Sequence, residues 1–132
     1  MADDAIRALA QRYYERYQSR DREAIEALLA EDFTFTSPWD DHIDRATYFS
    51  HCFPHAGEFR FRFPMKIFVD GDEAVIVYET EGKQGGTFHN AELFRFASGR
   101  IRSITVFFGF IPGARETKEA AESDAVSQSQ SS

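Results

Sequence analysis

One acidic residue stands out for chemistry because it interrupts an apolar alternation. Alternate residues of one predicted strand would share its buried, aromatic face: Phe88, Asn90, Glu92, Phe94 and Phe96. A carboxyl on such a face loses hydration, which raises its pKa and suits it to proton exchange near neutral pH. The alternatives are an acid paired for structural reasons, or one that faces solvent because the strand is shifted by one residue.

A second group of polar residues follows the first predicted strand: Trp39, Asp40, Asp41 and His42. An imidazole titrates near neutral pH, and a neighbouring carboxylate can orient it or share its proton. His42 is therefore the best single candidate for a catalytic base, with Asp41 as its partner. Trp39 and Asp40 are candidate ligand contacts. The alternative is a polar surface loop with Trp39 packed into the core.

Two tyrosines, Tyr13 and Tyr17, lie four residues apart on the first predicted helix. Either hydroxyl could point into a cavity and donate a hydrogen bond to a ligand. The alternative for both is ordinary core packing, which is the commoner use of aromatic residues at helical spacing.

Metal chemistry is not expected from the histidines and the cysteine. His51 and His55 have the spacing of a helical metal-binding pair, but Pro54 lies between them and should end the helix. Cys52 is the only cysteine, which excludes an internal disulfide and a cysteine-only metal site. We therefore predict no metal and no cofactor.

Apolar residues at helical spacing predict three helices in the first half of the chain. They run from about Asp3 to Gln18, from Asp21 as N-cap towards Leu29, and from about Arg45 to Cys52. Asp3 or Asp4 is expected to cap the first helix and to favour its positive end. Asp44 is expected to cap the third, which is a structural role rather than a chemical one.

The rest of the chain alternates with the period of β-strands. Phe33 and Phe35 predict a short strand, and almost everything after Gly57 reads as further strands separated by turns. The turns are expected at Asp70–Asp72, Gly82–Gly86 and Ala97–Gly99. Helices followed by antiparallel strands indicate an α+β fold with the helices on one face of the sheet. A strongly bent sheet around a helix would enclose a conical cavity.

Composition narrows the classes of function. The chain has 132 residues, enough for one domain, with 14 Phe and a net charge of −7. This charge disfavours a nucleic-acid partner and an anionic membrane surface, and no apolar run approaches the roughly 18 residues of a membrane span. We expect a cytoplasmic domain over 1–112 and a polar, disordered tail over 113–132.

The order of these elements resembles the nuclear transport factor 2-like superfamily, and within it the SnoaL-like and ketosteroid-isomerase-like branch. The stretches that carry the resemblance are Asp21–Ile25, Leu29–Phe33, Glu92–Phe96 and Ser98–Ile101. It spans about Asp3 to Phe110. It implies a cone-shaped α+β roll, with three N-terminal helices packed on a strongly curved, mostly antiparallel sheet.

The resemblance also implies roles for individual residues. Tyr13 matches the tyrosine with which ketosteroid-isomerase-like enzymes donate to the substrate oxygen, and Glu92 stands where they carry a protonated Asp. Ser37 stands in place of their general-base Asp, and a hydroxyl alone cannot accept the proton near neutral pH. Steroid isomerisation of the usual kind is therefore not expected. Asp40 and Asp41 are the nearest replacement acids.

Three functions remain open from the sequence. The first is a cofactor-free acid/base enzyme, of isomerase, cyclase, dehydratase or hydrolase type, acting on a small apolar or aromatic molecule. It would use His42, Asp41, Glu92 and Tyr13 for chemistry, with ligand contacts from Trp39, Asp40, Tyr17, Asn90, Phe94 and Phe108. The second is a non-catalytic carrier of such a molecule, which the missing base at Ser37 favours.

The third possibility is an assembly module whose cone is filled by its own Phe rings.

The resemblance implies a homodimer that forms through the outer face of the sheet. The residues expected there are His89, Ala91, Leu93, Phe107 and either Val77 or Tyr78.

Overall fold

Three α-helices form where apolar residues have helical spacing. The computed structural model describes residues 2–58, 60–81 and 86–108. Its helices are α1 (Asp3–Gln18), α2 (Arg22–Leu28) and α3 (Arg45–His51), followed by a 3₁₀ helix (Phe53–Glu58). The predicted bounds of α1 are confirmed, and α3 ends before Pro54 as expected. None of the helices in these ranges is both long and apolar enough to cross a bilayer.

Aspartates cap two of the helices as predicted. The Ala24 N–H donates to Asp21 Oδ1 at 3.1 Å, and the Thr47 N–H donates to Asp44 Oδ1 at 2.8 Å. The expected cap on α1 is wrong. Ala2 occupies that N-cap position and offers no side-chain acceptor, while Asp3 and Asp4 lie in the first turn, where they still favour the positive end of the helix.

Replacing Asp44 tests whether its role is structural. Asp44→Ala is expected to lower the melting temperature by a few degrees, because the N-terminus of α3 loses its acceptor, and to leave ligand binding unchanged. The hydrogen bonds from Thr47 lower the pKa of Asp44. The stabilisation is therefore present at neutral pH and lost as the pH falls through that lowered value. Asp44→Asn keeps an acceptor and should melt close to wild type, and equal losses for both variants would contradict a capping role.

Within the described residues, seven strands make one mixed sheet. They are β1 (Leu29–Ser37), β2 (Asp40–Asp44), β3 (Arg60–Phe61), β4 (Lys66–Asp70), β5 (Glu73–Glu81), β6 (Thr87–Ala97) and β7 (Arg100–Phe108). The order across the sheet is β2-β1-β7-β6-β5-β3, and β4 also pairs with β5. All neighbours are antiparallel except β1 and β7, which run parallel. The sheet is curved and unclosed, and the α+β cone predicted from the sequence is confirmed.

The stretch 39–43 was expected to be a polar loop, and this prediction is wrong for residues 40–43. These residues lie in β2, which pairs antiparallel with β1 and places Phe35 opposite Ile43. Its residues are too polar to show a strand pattern by themselves, and the partner strand supplies the hydrogen bonds that order it. The strand before it is also longer than Phe33 and Phe35 indicate, because β1 begins at Leu29 directly after α2.

The described turns follow the sequence signals. Gly71 has φ +63° between β4 and β5, a conformation that favours glycine. Ser98 and Gly99 both have positive φ in the turn between β6 and β7, as a tight hairpin requires. The turn predicted at Gly82–Gly86 falls largely outside the described residues, and so do the domain boundary near 112 and the tail 113–132.

The core lies between α1 and the inner face of the sheet. The ring of Tyr14 on α1 contacts the rings of Phe61, Tyr78 and Phe94 with centroids 5.1, 5.2 and 5.8 Å apart. Phe94 is fully buried. The inner face of the cone is therefore aromatic, and polar groups placed on it are removed from water.

Candidate functional site

Strand β6 presents Glu92 to this aromatic interior. Asn90, Glu92, Phe94 and Phe96 are buried, whereas His89 and Arg95 between them are exposed. The alternation places Glu92 on the inner face, as the sequence pattern predicts, with 6% of its surface exposed. The placement of His89 on the outer face also agrees with the prediction.

The partner of Glu92 comes from the neighbouring strand. Tyr78 on β5 lies directly opposite Asn90, two residues from Glu92 along β6, so the three side chains share one face. The Tyr78 hydroxyl donates to Glu92 Oε2. Asn90 Nδ2 donates to the Tyr78 oxygen at 3.4 Å. The carboxyl is thereby held at one oxygen by a buried donor.

Three more tyrosines cover Glu92 from the helices. Tyr13 and Tyr14 come from α1 and Tyr48 from α3, and all three are buried. The hydroxyls of Tyr13 and Tyr48 share a hydrogen bond of 2.5 Å, in which either can be the donor. The Tyr14 hydroxyl lies beside the Glu92 carboxyl. We call Glu92 and the tyrosines 13, 14, 48 and 78 the Glu92 cluster.

Burial sets the protonation of this cluster. It raises the pKa of Glu92 to about 7, although hydrogen bonding from Tyr78 and the nearby Tyr14 hydroxyl lowers that pKa in part. Burial also raises the pKa of all four tyrosines, which therefore stay protonated. At neutral pH the cluster holds a carboxyl that can give or take a proton among hydroxyl donors.

The predicted base lies on the surface at the β1–β2 hairpin. His42 Nδ1 and Asp41 Oδ1 are 2.6 Å apart, and their side chains are 74% and 92% exposed. Adjacent residues of a regular strand point to opposite faces, but His42 has φ +51°, which lets the two side chains meet. The structure therefore brings His42 and Asp41 together and places the pair outside the buried cluster.

The aromatic residues of this hairpin are also exposed. Trp39 is 59% exposed and packs on Phe108 with ring centroids 4.8 Å apart. The alternative in which Trp39 packs into the core is wrong, because the two-residue turn at 38–39 projects beyond the sheet. Trp39 and Phe108 form an exposed aromatic pair at the end of β7.

Asp40 and Tyr17 both lie near Cys52 at the end of α3. Ser37 Oγ donates to Asp40 Oδ2 at 3.0 Å, so the serine that replaces the expected base holds the nearest acid. Burial, with the Asp40 carboxylate adding to it, raises the pKa of the Cys52 thiol to about 12. The Tyr17 hydroxyl donates to the Cys52 carbonyl at 3.5 Å. Asp40 thus faces the helices, whereas Asp41 and His42 face solvent.

Sequence reasoning missed Tyr78, Tyr14 and Tyr48 as members of the cluster. Tyr78 was considered only for the outer face, and the structure corrects this, since Val77 is the residue that faces outwards there. The signal was available in the alternation of Ile76, Tyr78 and Thr80, which are all buried.

The other surface features of the described residues fit a functional site less well than the Glu92 cluster does. A depression of about 410 Å³ between α2 and α3 is lined mainly by charged side chains, among them Arg22, Glu26 and Arg45. None of the residues predicted for the site lines it. Within the described ranges, no three His, Cys, Asp or Glu side chains come together as a metal site would need.

Comparison with known proteins agrees with this architecture. The SnoaL-like domain family matches residues 10–104, which is most of the described chain. No curated protein matches the sequence.

Solved structures show the same fold at low identity. A nuclear transport factor 2-like protein of unknown function from Burkholderia pseudomallei superposes with a TM-score of 0.69 at 19% identity, covering 86% of this chain and 97% of that one. A similar protein from Mesorhizobium loti gives 0.66 at 22%, covering 83% and 97%. A Xanthomonas campestris protein, proposed to be a polyketide cyclase, gives 0.65 at 20%, covering 80% and 91%. The chain therefore belongs to the SnoaL-like domain family of the nuclear transport factor 2-like superfamily.

Proposed function

We propose that this chain binds a small apolar or aromatic molecule through an oxygen atom at the Glu92 cluster. The observation that carries the proposal is a carboxyl with 6% exposure that is held by Tyr78 among aromatic rings. Burying an acid in this way costs free energy that a purely structural core would avoid with an apolar residue. A role of the carboxyl in binding or reacting with a ligand would explain why the protein keeps a buried acid despite this cost.

The balance of donors and acceptors supports a ligand that accepts hydrogen bonds. Each tyrosine hydroxyl has one proton, and the bond between Tyr13 and Tyr48 uses only one of their two. Tyr78 donates to Glu92. One hydroxyl proton of the Tyr13–Tyr48 pair therefore stays available for a ligand oxygen that accepts a hydrogen bond, such as that of a carbonyl or enolate.

The chemistry we propose is a cofactor-free proton transfer. Glu92 gives its proton to the ligand oxygen, with Tyr13 as a further donor. His42 with Asp41 is the proposed acceptor of a carbon-bound proton, on a part of the ligand that extends from the buried cluster to the exposed hairpin. The positive φ of His42 favours a functional role for that pair, because strained backbone often marks functional sites. Trp39, Asp40, Tyr17, Asn90, Phe94 and Phe108 are the proposed ligand contacts. The proposed polyketide cyclase among the structural neighbours fits this reaction class.

A non-catalytic carrier of the same ligand is the alternative. Its support is Ser37, which stands where related isomerases have their base and which hydrogen-bonds Asp40. A carrier binds the ligand without any turnover that depends on His42.

Binding to the cluster can be measured with ring ketones such as 1-tetralone. We expect 1-tetralone to raise the melting temperature of the wild type by several degrees. Glu92→Gln, which keeps a donor, should bind it, whereas Glu92→Leu should bind it more weakly. His42→Ala serves as the matched variant, since it lies outside the buried cluster and should keep binding while losing turnover. If no ring compound shifts the melting temperature, or if Glu92→Leu binds as well as the wild type, the proposal fails.

A second proposal is that two copies of the chain associate through the outer face of the sheet. The observation that favours it is a set of exposed apolar side chains on strands β4, β5 and β7: Phe68 at 60%, Val75 at 37% and Phe107 at 55%. Exposed patches of this kind mark interaction surfaces.

We place the protein in the cytoplasm, as its single cysteine favours.

A further inference from the structure

The 3₁₀ helix (Phe53–Glu58) lies over one side of the Glu92 cluster. The carboxyl and the tyrosines of the cluster are all buried, so a ligand can reach them only if part of the structure moves. The ring of Phe53 packs on Tyr17 with centroids 5.9 Å apart, and Tyr17 stacks on Tyr13 at 5.7 Å. Phe53 and Tyr17 are only partly buried. These two rings therefore form the layer between the cluster and solvent on this side.

Few hydrogen bonds hold the start of this 3₁₀ helix. Pro54 has no N–H to donate. The His55 N–H donates to the Cys52 carbonyl at 3.0 Å, and the Tyr17 hydroxyl donates to the same carbonyl at 3.5 Å. The hydrogen-bond geometry of a 3₁₀ helix is also poorer than that of an α-helix. Such an element opens locally at a lower free-energy cost than the paired strands β5, β6 and β7 on the far side of the cluster.

Arg20 occupies a position where helices usually have glycine. The Arg20 N–H donates to the Tyr17 carbonyl and the Asp21 N–H to that of Arg16, which is the pattern of a helix that ends on a left-handed residue. Arg20 accordingly has φ +59°. A residue with a side chain pays a steric cost in this conformation, and glycine does not. The arginine therefore stands at the end of α1 despite a local cost.

The side chain of Arg20 lies against Gly57 in the 3₁₀ helix. A Cβ atom on Gly57 would lie 1.8 Å from Arg20 Nη2 and 2.0 Å from Nε, so the guanidinium group fills the space that a side chain there would need. The two positions are complementary, with a side chain where glycine is usual and a glycine where a side chain would clash. Both residues are exposed, so their contact can break without disturbing the core.

We propose that the 3₁₀ helix is a movable cover over the entrance to the Glu92 cluster, and that the contact of Arg20 with Gly57 holds this cover closed. Opening separates Phe53 from Tyr17 and gives a ring-shaped ligand a path to the buried carboxyl. This inference rests on the proposed function, because it concerns how a ligand reaches the same site.

Cys52 reports on the cover without any ligand. It is the only cysteine, it directly precedes Phe53, and burial raises the pKa of its thiol, so iodoacetamide should modify it slowly while the cover is closed. Arg20→Gly should speed this reaction about threefold to fivefold, because an arginine contact is lost. Gly57→Ala should also speed it, since its methyl group displaces the guanidinium. Arg12→Ala, an exposed arginine on the same helix, is the matched control and should react at the wild-type rate.

Melting temperatures separate local opening from a general loss of stability. Because glycine is favoured at φ +59°, Arg20→Gly should melt at or above the wild-type temperature although its thiol reacts faster. Faster modification with a lower melting temperature would overturn the inference. A wild-type rate of modification in Arg20→Gly would overturn it as well.

Stopped-flow fluorescence with 1-tetralone tests the entrance itself. The contact with Gly57 is present with and without ligand, so Arg20→Gly should raise the association and dissociation rate constants by the same factor and leave Kd unchanged. If the wild type binds 1-tetralone and the variant changes neither rate constant, the inference is overturned while the proposed function stands. If the wild type does not bind 1-tetralone, the proposed function fails and the entrance fails with it.

Discussion

Glu92→Gln is expected to remove most of the pH dependence of stability between about pH 5 and pH 8. The folded protein raises the pKa of Glu92 from 4.5 to about 7. Between these values the folded state binds more protons than the unfolded state, so the free energy of unfolding falls as the pH rises. The difference corresponds to about 3 kcal/mol, which is fully lost above the raised pKa. Glutamine resembles the protonated carboxyl but does not ionise, so the free energy of unfolding of the variant does not fall in this way over this range of pH.

The measurement is urea unfolding of wild type and Glu92→Gln at several values of pH from 5 to 8. The variant should match the wild type near pH 5 and be more stable at pH 8. The groups around Glu92 are Asn90 and the tyrosines 13, 14, 48 and 78, none of which ionises in this range, so the difference belongs to Glu92 alone. The exposed Glu23→Gln is the control and should follow the wild-type curve. Parallel curves for wild type and Glu92→Gln would show that Glu92 is not buried as an acid.

Phe107→Asp is expected to convert the proposed dimer into a folded monomer. Phe107 lies opposite Ala91, which lies opposite Val77, so these three side chains form one row across β7, β6 and β5. Phe68, Val75 and Leu93 form the next row. In a dimer with two-fold symmetry each substitution is present in both chains and so changes the interface at two places. Burying an aspartate in place of Phe107 should therefore weaken association about a thousandfold or more.

Light scattering after size-exclusion chromatography measures the molecular mass in solution and so distinguishes a dimer from a monomer. The wild type should have twice the 15.1 kDa of one chain, and Phe107→Asp should have 15.1 kDa with its circular dichroism spectrum retained. Phe63→Asp is the matched control, since Phe63 is exposed but lies between β3 and β4 rather than on the outer rows. A monomeric wild type, or a variant that remains dimeric, would contradict the proposed interface.

Local patterns predicted much of the fold. The spacing of Ile6, Ala10, Tyr13 and Tyr14 placed α1 within its observed bounds, and the aspartate caps at 21 and 44 marked the other two helices. Alternation along β6 placed Glu92 on the inner face. These features depend on neighbours within a few residues, so the sequence contains what is needed to predict them.

The composition of the site depends on contacts that the sequence does not show. Tyr78 joins Glu92 only because the register of β5 on β6 puts Tyr78 opposite Asn90. Tyr13 and Tyr14 are adjacent on α1, and helical spacing does not say which hydroxyl finds a partner. That choice depends on Tyr48, which α3 brings from 35 positions further along the chain. The exposed position of His42 was not predictable, because the pairing of β2 with β1, rather than its own residues, determines where the hairpin points.

The parallel pairing of β1 with β7 has a consequence for how the chain folds. β7 is made after every other described strand, yet it lies between β1 and β6 in the sheet. Until it arrives, β1 and β6 each present an open edge, and the sheet consists of two separate pieces. The slow step should therefore be the insertion of β7, which closes contacts far apart in sequence and requires the ends of the domain to meet. A nascent chain released before that insertion carries two edges able to pair with other strands, which makes it prone to aggregation.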